Sequence, residues 1–455
     1  MWTAASQHAV TAIELLLGNQ SLIVGDAGGG LHAWFRVRET EADANPAFRR
    51  IHRFQSHGGP VSSISTSTRD KQFLTGATDG RVALHHATSA QTFLTVSTAQ
   101  MMAVRDVALA PKSNGILVLS EDSQLRRFHL DNPHPEITIE TLFGEIWYEG
   151  YDEPEHVWQS TGGTDEFEPK LSLIPLVFGT VKGTLYAMLF ALPLAILAAI
   201  YTAEFASAEV RNRVKPTVEI MASLPSVILG FLAGLWLAPL LEHHIVGGAC
   251  CLVAIPVVVL AAAWAWRNLP RAVCNQLPRW TEISFLIVVV GAASAGAVAL
   301  GPQAETLLFS GSFQHWLNAE TDLSYDQRNC VIIGFAMGFA VIPLIFTICE
   351  DALSSVPQSL RAGSLALGAN RWQTAIKVVL PMAVPGVFSA SMIGFGRAIG
   401  ETMIVLMATG NTPIMEWNIF NGMRTISANI AVELPEAPHE GTPVSYTHLT
   451  LPTKA

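Results

Sequence analysis

The sequence predicts a mixed fold, in which an all-β region at residues 1–150 precedes an α-helical polytopic membrane domain at residues 171–442. Half of the 455 residues are hydrophobic and only 14% are charged, a composition too apolar for a wholly soluble protein. Short strand-like runs broken by glycine and acidic turns fill the first region, whereas apolar runs long enough to cross a bilayer dominate the second. Residues 151–170 are more polar, and we interpret them as a linker.

The charge balance and the cysteines exclude two classes of function. The net charge is −10, whereas proteins that bind nucleic acid through its phosphates need an excess of Lys and Arg. All cysteines lie in the apolar half without C-x-x-C spacing, so we interpret them as small buried residues and predict no metal or redox site. They are Cys250, Cys251, Cys274, Cys330 and Cys349.

The first region repeats one unit three times: a strand-like run, a tight turn with an acidic residue, and a second strand. The turn acids Asp26, Asp79 and Asp122 recur at intervals close to the roughly 40–50 residues of a propeller blade. Residues 57–84 carry the clearest unit, which resembles a WD40 blade with Asp79-Gly80 as its hairpin turn. The resemblance implies about three blades of a partial β-propeller, and a plain antiparallel sheet domain is the alternative.

No catalytic or phosphate-binding motif occurs in the first region, so we predict no chemistry for it. The pair His85-His86 is interpreted as a solvated strand face rather than a pair of metal ligands. Three blades cannot close a propeller, and residues 1–19 lack the features of a secretory signal. We therefore expect the natural N-terminus to lie further upstream.

Six segments of the second region are apolar and long enough to span a hydrocarbon core of about 30 Å as helices. They are residues 171–201, 216–241, 245–266, 283–300, 330–349 and 378–408. Cationic residues are retained on the cytoplasmic side of membranes, and here they cluster in three alternating loops. These residues are Arg211, Arg213 and Lys215, then Arg267, Arg271 and Arg279, then Arg361, Arg371 and Lys377. This pattern places the loop 350–377 in the cytoplasm and residues 1–170 outside it, which would require an anchor helix upstream.

The cytoplasmic loop 350–377 carries the most informative motif. Gly368 predicts a left-handed helix end, and Asn370 predicts the start of a second short helix. The run resembles the coupling motif of ABC importer permeases, E-A-A, three residues, G, nine residues, I-x-L-P, with another triplet at 362–364 in place of E-A-A. The resemblance implies that the loop docks an ATPase subunit through Arg361, Ala362, Gly363, Ser364, Gly368, Ala369, Trp372, Leu380 and Pro381.

Further stretches resemble the phosphate-transporting branch of these permeases. They are Val356-Pro357 with residues 366–372, residues 200–231, and residues 396–403. The sequence departs from that pattern at residues 245–300, which we interpret as two additional crossings with no assigned role, and at the end, where the last helix is missing. We interpret residues 443–455 as an artefactual tail.

One ion pair is predicted within the apolar part of the chain. Arg397 and Glu401 are four residues apart on one predicted helix and therefore share a face. Charges at this depth are costly, so we expect Arg397 to bind a phosphate oxyanion and Glu401 to neutralise it when the path is empty. A structural pair between packed helices is the alternative. Lys182, Thr180 and Thr184 on the first helix are weaker candidates for the same path, and Lys182 could instead extend to the membrane surface.

Together these features predict the permease subunit of an ATP-driven phosphate importer in the bacterial inner membrane. No G-x-x-x-x-G-K-[ST] sequence occurs, so we predict that ATP is hydrolysed on a separate cytoplasmic chain and that this subunit has neither catalytic residues nor a cofactor. The expected partners are a second permease subunit, the ATP-binding subunit, a periplasmic phosphate-binding protein, inorganic phosphate and membrane lipid. The alternatives are a permease for sulfate or molybdate, or a non-transporting phosphate-sensing scaffold.

Overall fold

The computed structural model describes residues 8–38, 47–97, 102–132, 134–162, 167–268, 280–309 and 311–434. The chain divides into two compact units, Met1–Pro175 and Leu176–Ala455. The first contains antiparallel sheets and the second contains six helices apolar and long enough to cross a membrane. The predicted mixed fold class is therefore confirmed. The predicted tail at 443–455 and the cations Arg271 and Arg279 lie outside the described residues.

The first unit contains three consecutive antiparallel sheets whose strands follow one another in chain order. The first sheet is β1 (Val10–Leu15), β2 (Leu22–Asp26), β3 (Leu31–Val37) and β4 (Ala47–Arg53). The second is β5 (Val61–Thr66), β6 (Gln72–Ala77), β7 (Arg81–His86) and β8 (Gln91–Ser97). The third is β9 (Val104–Leu109), β10 (Gly115–Ser120) and β11 (Leu125–His129). The three predicted repeats thus form three blade-like meanders, and they do not close into a barrel.

Neighbouring sheets share a hydrophobic core on each side of the middle sheet. Phe73 packs with residues of the first sheet, while the adjacent Leu74 packs with residues of the third. Successive side chains of a strand point to opposite faces, so both faces of β6 are covered. This arrangement explains why every residue of β6 is buried.

The burial of the middle sheet corrects one prediction. His85 and His86 are both buried, so the prediction of a solvated histidine face is wrong. The Thr75 hydroxyl lies 2.8 Å from His57 Nε2 and 2.9 Å from His85 Nε2, and His85 Nδ1 lies 2.8 Å from Thr92 Oγ1. Burial lowers the pKa of His85 to about 3, so the imidazole is neutral in the folded protein.

A short segment follows the third sheet within the first unit. It contains α1 (Ile139–Phe143), β12 (Trp158–Gln159) and β13 (Lys170–Leu171), and the last two pair with each other. The segment is fastened to the middle sheet by the Lys71–Glu149 ion pair at 2.6 Å and by a hydrogen bond from Thr88 to Glu168. Burial raises the pKa of Glu168 to about 7.

All regular secondary structure in the described part of the second unit is helical. It begins with α2 (Ile174–Ile200), which continues through a π-helical turn (Tyr201–Phe205), and α3 (Ala208–Ala222). Next come α4 (Ser226–Leu232), the π-helical turn Ala233–Leu237, α5 (Ala238–His243), α6 (Ile245–Arg267), α7 (Trp280–Leu308) and α8 (Phe313–Thr321). The remainder is α9 (Cys330–Ser354), α10 (Gln358–Ala366), α11 (Arg371–Thr374) with the π-helical turn Ala375–Val379, α12 (Leu380–Ile399), α13 (Met403–Ala408) and α14 (Ile426–Glu433).

The core of this unit forms where α2 crosses α9. Small residues repeat every fourth position along α2 and are fully buried, namely Ala187, Ala191, Ala195 and Ala199. A Cβ atom added at Gly338 of α9 would lie 3.2 Å from the carbonyl oxygen of Ala187. Small residues therefore let the two helices approach closely, as is typical of helix pairs in membranes.

Two predicted spans are interrupted in the structure. The segment 216–241 is divided between α3, which has no buried residue, and α4, because the chain turns at residues 223–225 before Pro225 caps α4. The segment 378–408 is divided between α12 and α13, because α12 ends at Gly400. Residues 400–402 therefore form a non-helical break inside a segment that hydropathy alone predicts as continuous.

The predicted extra crossings are α6 and α7, which pack along each other. A Cβ atom added at Gly301 would lie 3.0 Å from the Cα of Gly247, and one added at Gly247 would lie 3.1 Å from the Cα of Val298. The two backbones are therefore in direct contact at this crossing.

Candidate coupling segment and transport path

The segment 358–381 has the local structure that its sequence predicts. Gly368 has a φ of +87°, which ends the turn after α10 in the left-handed region that favours glycine. Asn370 then starts α11 with a capping box: its side chain accepts from the Gln373 N–H at 2.7 Å, and Gln373 accepts from the Asn370 N–H at 2.9 Å. Both predicted helix boundaries are confirmed.

The surface of this segment is open and includes large apolar side chains among polar ones. None of the α10 residues is buried, and Leu367, next to Gly368, is 92% exposed. Trp372 on α11 is also exposed. Among the remaining predicted coupling residues, Ala362, Gly363 and Pro381 are exposed, whereas Ser364, Ala369 and Leu380 are half-buried. We call residues 358–374 the coupling segment.

Arg361 differs from its neighbours because its guanidinium points into the protein. It donates to Glu204 Oε1 from Nε at 3.1 Å and from Nη2 at 2.8 Å. It also donates from Nη2 to the Leu353 carbonyl at 2.7 Å and from Nη1 to the Val356 carbonyl. Sequence reasoning listed Arg361 as a docking residue and missed its partner Glu204.

A second contact joins the coupling segment to the same place. The ring of Trp372 lies 6.0 Å from the ring of Phe205, measured between centroids. Glu204 and Phe205 are the last two residues of the π-helical turn that ends α2. The coupling segment therefore contacts the end of α2 from both α10 and α11.

Glu350 is a second buried carboxylate that sequence reasoning missed. It lies near the end of α9 and is 1% exposed, and Lys215 Nζ lies 2.6 Å from its Oε2. The Ser354 hydroxyl donates to Glu350 Oε1 at 3.0 Å, and Arg211 Nε lies 3.9 Å from that oxygen. The hydrogen bond to Glu350 raises the pKa of Lys215 above its ordinary value. The adjacent acids Glu350 and Asp351 at the end of an apolar run, with Arg211 and Lys215 in another predicted cytoplasmic loop, were the available signal.

Arg397 and Glu401 are close, but they do not share a helix. Arg397 lies in the last turn of α12, whereas Glu401 follows the helix end at Gly400. The distance from Arg397 Nη2 to Glu401 Oε2 is 3.7 Å, with the Arg397 side chain 57% exposed and the Glu401 side chain 6% exposed. The prediction of a single helix is therefore corrected, while the proximity remains because the chain makes only a tight turn at Gly400.

Lys182 is fully buried, so the alternative in which it extends to the membrane surface is wrong. Its ammonium lies beside the thiol of Cys330, with which it interacts electrostatically. The reason is close packing from a distant part of the sequence. The carbonyl of Arg424 occupies the place where a Cβ atom of Gly179 would be, and Met423 packs against Gly183.

The hydroxyls of Thr180 and Thr184 are bonded within the protein. Thr180 donates to the Leu176 carbonyl and Thr184 to the Thr180 carbonyl, each at 2.7 Å. Thr180 also accepts from the N–H of Ile426 at 3.1 Å. Among the described residues, no direct ion pair or hydrogen bond joins these threonines or Lys182 to Arg397. The two sets of predicted path residues are connected indirectly, through Ile426 and Ser427 of α14.

Comparison with known proteins decides the family. Residues 191–447, more than half of the chain, match the family described as the inner membrane component of binding-protein-dependent transport systems. The chain belongs to this family. It is accordingly a multi-pass inner-membrane protein, as the sequence predicted, and its coupling segment lies within the matched region.

Several curated relatives of this family member are phosphate transport permeases by name. The chain is 30% identical over 197 residues to the phosphate transport system permease protein PstC 1 of Mycobacterium tuberculosis, covering 42% of this chain and 58% of that protein. It is 31% identical over 116 residues to PstA 1 of the same species, covering 25% and 38%. It is 42% identical over 94 residues to the probable ABC transporter permease protein YqgH of Bacillus subtilis, covering 21% and 30%. The matches thus span from about a third to somewhat more than half of these relatives.

Proposed function

We propose that this chain is the permease subunit of an ATP-driven inorganic phosphate importer, in which it forms part of the translocation path and docks the ATPase subunit. The observation that carries the proposal is the coupling segment around Gly368, with its exposed leucines and Trp372, in a chain of the binding-protein-dependent family. The choice of phosphate is supported by the names of the relatives, which are phosphate transport permeases from both PstC and PstA groups.

The proposed partners follow from the separate roles of the permease and the ATPase subunit. A cytoplasmic ATP-binding subunit contacts the coupling segment, a second permease subunit completes the path, and a periplasmic phosphate-binding protein delivers the substrate. The exposed leucine and tryptophan of the coupling segment support the first contact, because large apolar side chains in water are stabilised by burial against a partner. The permease itself carries no bond chemistry.

Arg397 is the residue we assign to phosphate. Its guanidinium is mostly exposed and forms a loose pair with Glu401, so its donors are available to an oxyanion. The buried Glu401 carboxylate competes for the same guanidinium, which keeps phosphate from being held too tightly to move on. Lys182 and Thr184 remain secondary candidates, placed deeper in the protein.

Replacing the guanidinium tests the proposal. We expect Arg397→Gln to abolish phosphate uptake by cells that express the complete transporter, because the amide cannot replace a charged, forked donor. The matched control is Arg213→Gln, since Arg213 is an exposed arginine paired with a glutamate four residues away, at 3.6 Å. Uptake is measured with radiolabelled phosphate after membrane levels of each variant are equalised.

Normal uptake by Arg397→Gln would overturn the assigned role. Competition with unlabelled sulfate and molybdate in the same assay decides the substrate class. Inhibition by either oxyanion as strong as that by phosphate would replace phosphate in the proposal.

A further inference from the structure

The end of α2 is the place where the coupling segment is attached to the rest of the permease. Glu204 and Arg361 are more than 150 residues apart in sequence, yet their side chains are only 10% and 12% exposed and 2.8 Å apart. A pair this well buried differs from a surface pair, because removing one partner leaves the other charge buried and unpaired. The pair is therefore suited to hold two elements in one relative position.

Arg361 uses its donors on three different elements. Besides Glu204 at the end of α2, it binds the carbonyl of Leu353 in the last turn of α9 and the carbonyl of Val356 just beyond that helix. A guanidinium presents five donors in a rigid plane, whereas a lysine ammonium is a single point with three rotating donors. The three acceptors around residue 361 therefore require an arginine at this position.

The two helices of the coupling segment contact two adjacent residues of the π-helical turn that ends α2. Arg361 on α10 binds Glu204, and Trp372 on α11 contacts Phe205. The Arg211 guanidinium holds the same turn from the other side by donating to the carbonyls of Thr202 and Ala203 at 3.0 and 2.5 Å. A displacement of the coupling segment is thus transmitted to α2 rather than absorbed by a flexible loop.

From this end α2 leads to the neighbourhood of the Arg397–Glu401 pair. Thr180 of α2 accepts from the Ile426 N–H at the start of α14, and the neighbouring Ser427 hydroxyl donates to the Glu401 carbonyl at 3.0 Å. Helix α2 packs tightly on this region, because the backbone of Arg424 leaves no space for a side chain at Gly179 and Met423 packs against Gly183. A continuous series of packed contacts therefore connects Glu204, at one end of α2, with Glu401.

We propose that Glu204 and Arg361 are positioning residues that transmit movement of the coupling segment to α2, and through α2 to the Arg397–Glu401 pair. The inference rests on the proposed function for its physiological meaning. It assigns Arg361 an internal role, in place of direct contact with the ATPase subunit. The pair acts through the position of α10 and contacts neither substrate nor nucleotide.

The first experiment measures, in this chain alone, how rigidly the Glu204–Arg361 pair holds α10 against the end of α2. Spin labels are introduced as unnatural amino acids at Tyr201 on the end of α2 and at Leu365 on α10, both of which are exposed. We expect a narrow distance distribution in the wild-type chain and one at least twice as broad in Glu204→Gln. The matched control is Glu209→Gln, which removes an exposed carboxylate of the Glu209–Arg213 pair. An unchanged distribution in Glu204→Gln would overturn the proposal, whatever substrate the permease carries.

The second experiment measures coupling in the complete transporter in proteoliposomes. We expect Glu204→Gln to retain the ATPase subunit and its basal ATP hydrolysis while phosphate uptake falls about tenfold, which raises the ATP hydrolysed per phosphate. Loss of ATPase binding in proportion to uptake would overturn the proposal, since it indicates a direct docking role. Absence of phosphate uptake by the wild-type transporter would instead overturn the proposed function.

Discussion

Asp79 shows how a single side chain fixes the geometry of the first unit. Its Oδ2 accepts from the Gly58 N–H at 2.7 Å and its Oδ1 from the Arg81 N–H at 3.0 Å, while His57 Nδ1 lies 3.9 Å from Oδ1. One carboxylate thus joins the hairpin turn between β6 and β7 to the segment that precedes β5. The sequence predicted the turn at Asp79-Gly80, but it did not predict this bridge, which depends on tertiary proximity.

We expect Asp79→Ala to lower the unfolding free energy of the first unit by about 1–3 kcal/mol, the range for hydrogen bonds to a charged group. The control is Asp122→Ala, because Asp122 is exposed and accepts a single bond from the Gln124 N–H at 3.2 Å. Hydrogen exchange of the full chain in detergent, followed over peptides of β5–β8, measures the change. Equal loss of protection in both variants would contradict the bridging role of Asp79.

The buried histidines predict a pH dependence for the same unit. Burial lowers the pKa values of His85 and His86 to about 3 and 4, below the ordinary 6.5. A lowered histidine pKa gives stability that is complete above the unfolded pKa and is lost as the pH falls towards the folded pKa. Glu168, with its pKa raised to about 7, acts in the opposite direction, since its contribution is lost as the pH rises through about 7.

His52, also with a lowered pKa of about 4, adds to the first effect, so the imidazoles outnumber the one carboxyl group that opposes them. Burial also lowers the pKa values of His32 and His57, which act in the same direction. We therefore expect the first unit to lose stability between about pH 6.5 and 4. Hydrogen exchange at several pH values, corrected for intrinsic exchange rates, measures this loss. His85→Phe retains a ring against Phe73 and removes one titrating group, so it should weaken the pH dependence. A variant with the wild-type pH profile would contradict this assignment.

Two residue-level predictions failed for the same physical reason. The histidine pair was predicted to be solvated because alternation along a strand indicates one wet face, whereas the middle sheet is covered on both sides. Extension of Lys182 to the membrane surface was the alternative because α2 alone would leave its side chain exposed, whereas residues 423–424 pack against α2 and Lys182 is buried. In both cases the burial comes from residues distant in sequence, which local pattern does not contain.

At the scale of elements, the helix ends of the coupling segment were predictable and the interior breaks were not. Gly368 and Asn370 act through their own backbone and side chain, so the sequence signal is local. The breaks at residues 223–225 and 400–402 lie inside apolar segments, and hydropathy averaged over a span does not detect them. Hydropathy therefore predicts the number of apolar spans found among the described residues, but it misses the two interior breaks.

Gly368 provides a test of the coupling segment. Alanine at φ +87° costs roughly 1–2 kcal/mol in backbone strain, and no atom lies within 4 Å of the added methyl group. We expect Gly368→Ala to change the angle between α10 and α11 and to reduce both ATPase co-purification and phosphate uptake several-fold. Gly150→Ala is the matched control, since Gly150 has a φ of +83° and equally open surroundings in the first unit. If Gly150→Ala impairs uptake as much, general destabilisation explains both results.

At the scale of the whole molecule, the fold class and the family were both predictable from composition and motifs. Apolar length indicates helices in a bilayer, and the coupling motif is specific enough to identify the family. The assignment of individual residues to a transport path stays a prediction, because it depends on how buried groups face one another across the helices.

Membrane orientation is the remaining prediction at this scale. The positive loops place Gly368 in the cytoplasm, whereas the turn at residues 242–244 and the whole first unit lie outside. We expect a membrane-impermeant thiol reagent to label His243→Cys in intact cells and to label Gly368→Cys only after permeabilisation. The wild-type chain serves as the blank for its native cysteines. Labelling of Gly368→Cys in intact cells would overturn both the orientation and the docking of a cytoplasmic ATPase.

The break between α12 and α13 has a consequence for hydration. Backbone that leaves the helix at membrane depth cannot face lipid tails, since its amide and carbonyl groups need polar partners. Here the Ser427 hydroxyl donates to the Glu401 carbonyl, whereas Gly400 and the Arg397 side chain are exposed. We therefore expect water or a polar partner surface beside residues 400–402 and, under the role proposed for Arg397, an anion bound there keeps part of its water shell instead of entering a dry, low-dielectric interior.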